Sequence, residues 1–116
     1  RLEYSIALQG FTTITGESSS ILRGLLATYD RELGNGTSNR GRYSNPEFDR
    51  LLGLALTAMD DAERERLLRQ ATQVAMADAA LIPLYFQLNT WASRSGLTYI
   101  ARADDQTRAV YVRRSD

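Results

Sequence analysis

Two apolar stripes of helical period, each behind an explicit start signal, constrain this chain more than any other feature. In RYSNPEFDRLL, Arg42 to Leu52, Ser44 or Asn45 can accept a hydrogen bond from the first free amides of a helix. Pro46 stands where a missing N–H costs nothing, and Glu47 complements the positive helix end. Phe48, Leu51, Leu52, Ala55, Leu56 and Met59 then repeat at helical spacing, which predicts a helix with one buried face. In DDAERERLLRQ, Asp60 and Glu63 have capping-box spacing, and Leu67, Leu68, Ala71, Val74 and Ala75 form the core face of a second helix running to about Asp78. The i,i+4 pairs Asp60 with Arg64 and Glu65 with Arg69 solvate its outer face.

Upstream, Leu2, Tyr4, Ile6 and Leu8 alternate with Glu3, Ser5, Ala7 and Gln9, the period of a strand with one buried face. The loop FTTITGESSS follows, and Ser18 or Ser19 can cap a helix with Ile21, Leu22, Leu25, Leu26 and Tyr29 on one side, weakened by Gly24. RELGNGTSNRGRYS is the longest irregular stretch, and long loops in compact domains are often functional. The fixed start of the next helix also fixes where this glycine-rich loop ends. LIPLYFQLN is rich in strand formers, and Pro83 places the strand's start, a bend or an edge there. A last short strand is predicted through Ala109, Val110, Tyr111 and Val112.

The 116 residues are 43% hydrophobic and 24% charged, the composition of an ordinary globular domain without a membrane-spanning run. Fourteen arginines balance 14 acids and there is no lysine, so no net field draws in nucleic acid. Cysteine and histidine are absent, which removes disulfides, thiolate catalysis and the usual general base. Ser18, Ser19 and Ser20 read as a cap, and the pairs Asp60 with Asp61 and Asp104 with Asp105 as solvated charges, so no catalytic group is expected. GNGTSNRG lacks the lysine of a phosphate-cradling loop, although Arg40 and Arg42 could clamp a carboxylate or phosphate in a bidentate way. Tyr85, Phe86 and Trp91 beside an apolar strand read as core. Phe11, at the start of a polar loop just after a strand, is the better aromatic candidate for a ligand. The chain enters directly into a strand-like alternation at Arg1, as expected of a piece of something longer.

In order, GFTTITGESSS, TSNRGRYSNPEFDRLL, DDAERERLL and LIPLYFQLNTWASRSGLTY resemble the C-terminal part of the bacterial extracellular solute-binding proteins that serve dipeptide, oligopeptide and nickel ABC importers. The resemblance covers nearly the whole chain and implies an α/β fold, a C-terminal lobe fragment of a two-lobed periplasmic-binding-protein-like architecture, with a few strands packed with about three helices. It implies one fragment over 1–116, in which 81–116 holds a hinge-proximal strand and the return segment. It further implies a monomeric, periplasmic, non-enzymatic protein without cofactor or metal. Such a protein captures a peptide-like or other small solute for ABC permease subunits, and neither binds nucleic acid nor spans the membrane itself. The loop Phe11 to Gly16 and the loop ahead of Tyr43 then face the cleft, with Phe11 supplying a stacking face, Thr12 and Thr13 hydrogen bonds, and Asn39 and Arg40 polar contacts. Many relatives carry tryptophan where this chain has Phe11, and near Ile14 an aspartate that can pair with a peptide's amino terminus; Ile14 cannot. A ligand without a free ammonium is therefore also expected. The rival from another class is the ligand-sensing module of a cytoplasmic transcription regulator, which a helix-turn-helix upstream would reveal and a signal peptide would exclude.

Overall fold

Asn45 begins the first long helix as expected: its side-chain oxygen accepts from the amides of Glu47 and Phe48 at 2.9 and 3.2 Å, and Pro46 takes the first helical position. Ser44, the other candidate cap, bonds Thr28 instead. In the computed structural model, which describes residues 6–13, 16–86, 88, 90–102 and 106–115, this helix, α2, spans Pro46–Thr57. Asp60 caps the next, α3 (Asp61–Ala77), by accepting from the Glu63 amide at 2.7 Å. The capping box stays half made, because the Glu63 carboxylate turns to Arg66 rather than back to the cap. Arg69 does reach Glu65, whereas Arg64 reaches Asp61 and the Ala58 carbonyl, not Asp60.

The chain divides into two compact units, Arg1–Leu84 and Tyr85–Asp116. In the first, Phe48, Leu51, Leu52 and Ala55 of α2 meet Leu67, Leu68, Ala71 and Ala75 of α3 in a single buried cluster. Full burial of side chains such as Phe48 and Leu52 contributes about 1.5–3 kcal/mol each. Leu56 and Met59 fall outside the stripe and are exposed.

The helix predicted from Ser18 onward forms only a single α turn, α1 (Ser19–Ile21), which widens into a π-helical turn over Leu22–Leu26. Ser18 precedes it with helical backbone angles and makes no side-chain cap, so the serine cap is not realised. Leu22 and Leu26 join the core, while Tyr29 is exposed. The wider turn lets Ala27 N–H reach back to Leu22 O at 3.0 Å. Thr28 N–H goes to the Asp49 carboxylate of α2 at 3.0 Å, which ends the helix.

At its far end α3 closes in a Schellman pattern: Ala79 N–H bonds Met76 O at 3.1 Å and Ala80 N–H bonds Ala75 O at 2.9 Å. Ala79 sits at φ +52°, a conformation glycine adopts without strain.

Two strand expectations fail among the described residues. Ile6 and Leu8 lie in no strand and are exposed; Leu2 and Tyr4 lie outside the described residues. Over 81–86 and at Leu88 there is no ladder, and Tyr85 and Phe86 are exposed rather than core, Phe86 at 99%. Both segments have strand composition, yet a strand exists only where a neighbour accepts its backbone groups. In the second unit, β1 (Leu97–Tyr99) pairs antiparallel with β2 (Val112–Arg114), Leu97 opposite Arg114. The predicted strand at Ala109 to Val112 is thus displaced: Ala109–Tyr111 is a 3₁₀ turn and the ladder begins at Val112. Trp91 is half-buried against Tyr99, with ring centroids 5.6 Å apart, and its indole N–H donates to Thr107 Oγ1 at 3.1 Å. The described part of the chain is mixed α/β, with three α-helical elements and one two-stranded sheet. None of its helices is long and apolar enough to cross a membrane.

Candidate functional site

The π-helical turn leaves the carbonyls of Arg23 and Gly24 without helical partners, and the glycine-rich loop takes both. Gly36 N–H donates to Arg23 O and Ser38 N–H to Gly24 O, each at 2.9 Å. Only glycine fits at 36: its φ is +62°, and a Cβ there would stand 2.4 Å from the Ala27 carbonyl oxygen and 2.8 Å from Tyr29 Cα. Before it, Asp30 and Asn35 exchange backbone hydrogen bonds, and the Asp30 carboxylate accepts from the amides of Glu32 and Leu33 at 2.8 and 3.0 Å. Arg23 locks this hairpin from outside, donating from Nε to Asn35 Oδ1 at 2.8 Å and from Nη2 to the Leu33 carbonyl.

After Gly36 the loop is held by Asn39, which is 8% exposed. Its amide nitrogen donates to Ala27 O at 3.0 Å and to Tyr43 O at 2.7 Å, and its oxygen accepts from Tyr43 N–H at 3.0 Å. Both amide protons are consumed. Tyr43 then packs edge-on against Phe48 at 5.7 Å and donates its hydroxyl to Asp78 Oδ2 at 2.7 Å, which Asn45 Nδ2 also approaches at 2.7 Å. Burial, then the bond to Asp78 and its negative charge, push the Tyr43 phenol up to about 12. The hydrogen bonds from Tyr43 and Asn45 hold the Asp78 carboxyl below its ordinary value. These contacts tie the start of α2 to the end of α3, so the loop is set on the core at both ends.

Phe11 lies across the turn that anchors this loop. Its ring rests over Gly24, where an added Cβ would meet Cζ at 3.6 Å. Phe11, Arg23, Gly24, Thr37, Ser38 and Leu56 share one groove of about 440 Å³, whose rim also includes Ser19 and Ser20. The segments around Phe11 and around residue 39 therefore meet on a common concave surface. Of the sequence-stated candidates, Phe11 lines this groove at 43% exposure, while Thr12, Thr13, Asn39 and Arg40 lie outside its wall. Arg40 is exposed, and its side chain makes no hydrogen bond or ion pair among the described residues. Ile14, Asp104 and Asp105 lie outside the described residues. Among those described, no group of acids could hold a metal ion.

Sequence reasoning missed Arg23, Thr37, Ser38 and Leu56. No local signal marks them, because a π-helical turn and a distant loop bring them together. A larger groove of about 620 Å³ runs along α3 beside Gly16 and Glu17. Its arginines Arg64 and Arg69 already face Asp61 and Glu65, as on a solvated helix surface.

Comparison with known proteins finds similarity to the periplasmic oligopeptide-binding protein OppA of Salmonella typhimurium, 28% identical over 86 residues, 74% of this chain and 14% of that protein. An uncharacterized lipoprotein of Mycobacterium leprae is 34% identical over 87 residues, 75% of this chain and 15% of that protein. The oligopeptide-binding protein OppA of Bacillus subtilis is 33% identical over 63 residues, 54% of this chain and 12% of that protein. The chain thus spans about a seventh of the length of the first two. No protein-family profile matches the chain. No solved structure matches it either.

Proposed function

We propose that this chain forms one wall of the ligand cleft of an extracellular solute-binding protein, which captures a peptide-like or other small solute and hands it to an ABC permease outside the cytoplasmic membrane. The observation that carries this reading is the similarity to oligopeptide-binding proteins over 74% of the chain. The groove shared by Phe11 and the glycine-rich loop supports it, since it gives that wall a concave face.

In this reading Phe11 supplies an apolar face, Thr12 and Thr13 border it with hydroxyls, and Arg40 reaches the solute from the loop as the second lobe closes. Asn39 acts by holding the loop, because its amide is spent on Ala27 and Tyr43. The segment 81–91 would run near the hinge as part of a larger sheet. Chemistry on the solute is not required: the role is binding and release.

Mass spectrometry of whatever co-purifies with a longer protein carrying this segment tests the proposal. A retained peptide or small solute is expected. An empty preparation that also fails to bind added peptides, or turnover of a substrate, would overturn it. The 116 residues alone should lack micromolar affinity in titration calorimetry, because the facing lobe supplies the remaining contacts.

A further inference from the structure

We propose that the groove between Phe11 and the Arg23 guanidinium is a subsite for the carboxylate of a solute with an apolar body, and that it takes no ammonium group. The inference rests on the solute-capture reading and names the chemistry of its ligand.

Arg50, Arg64, Arg66 and Arg69 each face a carboxylate at 2.5–3.2 Å on their own helix. Arg23 has no ion pair among the described residues. Its Nε and Nη2 are held by neutral oxygens, Asn35 Oδ1 and Leu33 O, which orient the guanidinium without neutralising it. Nη1 has no hydrogen bond among the described residues, so the free edge of the fork keeps donors for an incoming anion.

The rest of the groove selects by charge and polarity. Among the described residues no acidic side chain lines it, so an ammonium would meet a guanidinium and no compensating carboxylate there. Ser19, Ser20, Thr37 and Ser38 bring hydroxyls that can donate to the second carboxylate oxygen, and Phe11 and Leu56 supply apolar surface for the remainder of the solute. One oriented cation matches a monoanion. The α3 groove has no such charge to offer, since its arginines are already paired.

The test is an NMR titration of the ¹⁵N-labelled 116-residue chain with N-acetyl-alanyl-phenylalanine, its C-terminal amide, unacetylated alanyl-phenylalanine and inorganic phosphate. The acetylated acid should shift the Arg23 Nε–H and the amides of Gly24, Thr37 and Ser38. The amide form and the unacetylated form should each bind roughly three- to fivefold more weakly, the scale of one exposed charge contact. Arg23→Lys keeps the charge but loses the fork, and should shrink the preference of acid over amide. Leu56→Glu leaves the bonds of Arg23 to the loop in place, adds a carboxylate to the groove and should abolish that preference. Equal binding of acid and amide, or a response of Arg23 to phosphate and not to the acid, overturns this inference alone. If no peptide form perturbs any groove amide, the subsite inference falls, while the solute-capture reading, which assigns the remaining contacts to the facing lobe, is decided by what co-purifies with the longer protein.

Discussion

Replacing Asn39 with alanine separates a residue that shapes the loop from one that meets a ligand. The change deletes three hydrogen bonds, to Ala27 O, Tyr43 O and Tyr43 N–H. Ala27 is 1% exposed, so its carbonyl loses its side-chain donor in a place water does not reach, at about 1–3 kcal/mol. The two Tyr43 backbone groups are half-buried and can partly rehydrate, at roughly 0.5–1 kcal/mol each. The sum is about 2–5 kcal/mol, against a total of about 5–15 for a domain of this kind. Urea denaturation followed by circular dichroism at a helix wavelength reads the loss directly. Asn39→Asp should be no milder, because a carboxylate would face two carbonyl oxygens. Arg40→Ala, next to it and exposed, should stay within about 0.5 kcal/mol of the parent. If Asn39→Ala is as mild as Arg40→Ala, the buried amide does not hold the loop and the derivation is wrong.

Ala79→Gly should stabilise the chain by about 0.5–1 kcal/mol in the same assay, since the left-handed strain at φ +52° exceeds the extra entropy of glycine in the unfolded chain; a loss would show that the Schellman turn is not populated. The carboxyl of Asp78 is held low in the folded chain by Tyr43 and Asn45, so its contribution is present above the ordinary carboxylate range and fades as pH falls through the lowered value. Asp78→Asn should therefore flatten the acid limb of a stability–pH curve below about pH 4, and an unchanged limb would refute the assignment. Tyr43, pushed up to about 12, has the opposite sense: its contribution is complete below its ordinary value of 10.0 and is lost as pH rises toward 12. Tyr43→Phe should remove that alkaline loss, as a denaturation series between neutral pH and pH 12 would show.

The helices were legible because their signals are local. Asn45, Pro46 and Glu47 stand next to the amides they serve, and the stripes from Phe48 and Leu67 need only their own period. The loop was legible as a loop, since its glycines declare it, but the role of Asn39 was not. That role depends on Ala27, 12 residues away, arriving beside it. An asparagine ahead of Arg-Gly does hint at side chain to backbone bonding, and that hint was readable. The widening of the first helix had no sequence mark beyond Gly24, so the pairing of its free carbonyls with Gly36 and Ser38, and with it the groove, could not be foreseen. The strand expected in LIPLYFQLN failed over 81–86 and at Leu88 for a different reason: composition states what a segment would accept as a neighbour, and no neighbouring strand exists for it among the described residues.

The central claim is that Phe11 and the glycine-rich loop receive the solute together, and photo-crosslinking tests it most directly. A peptide carrying a benzophenone group is irradiated with the chain, and the adducts are mapped by mass spectrometry after proteolysis. Labels on Phe11 to Thr13 and on Gly34 to Ser38 are predicted; labels concentrated on the outer face of α3 or on 82–88, with those two segments clean, would contradict the account.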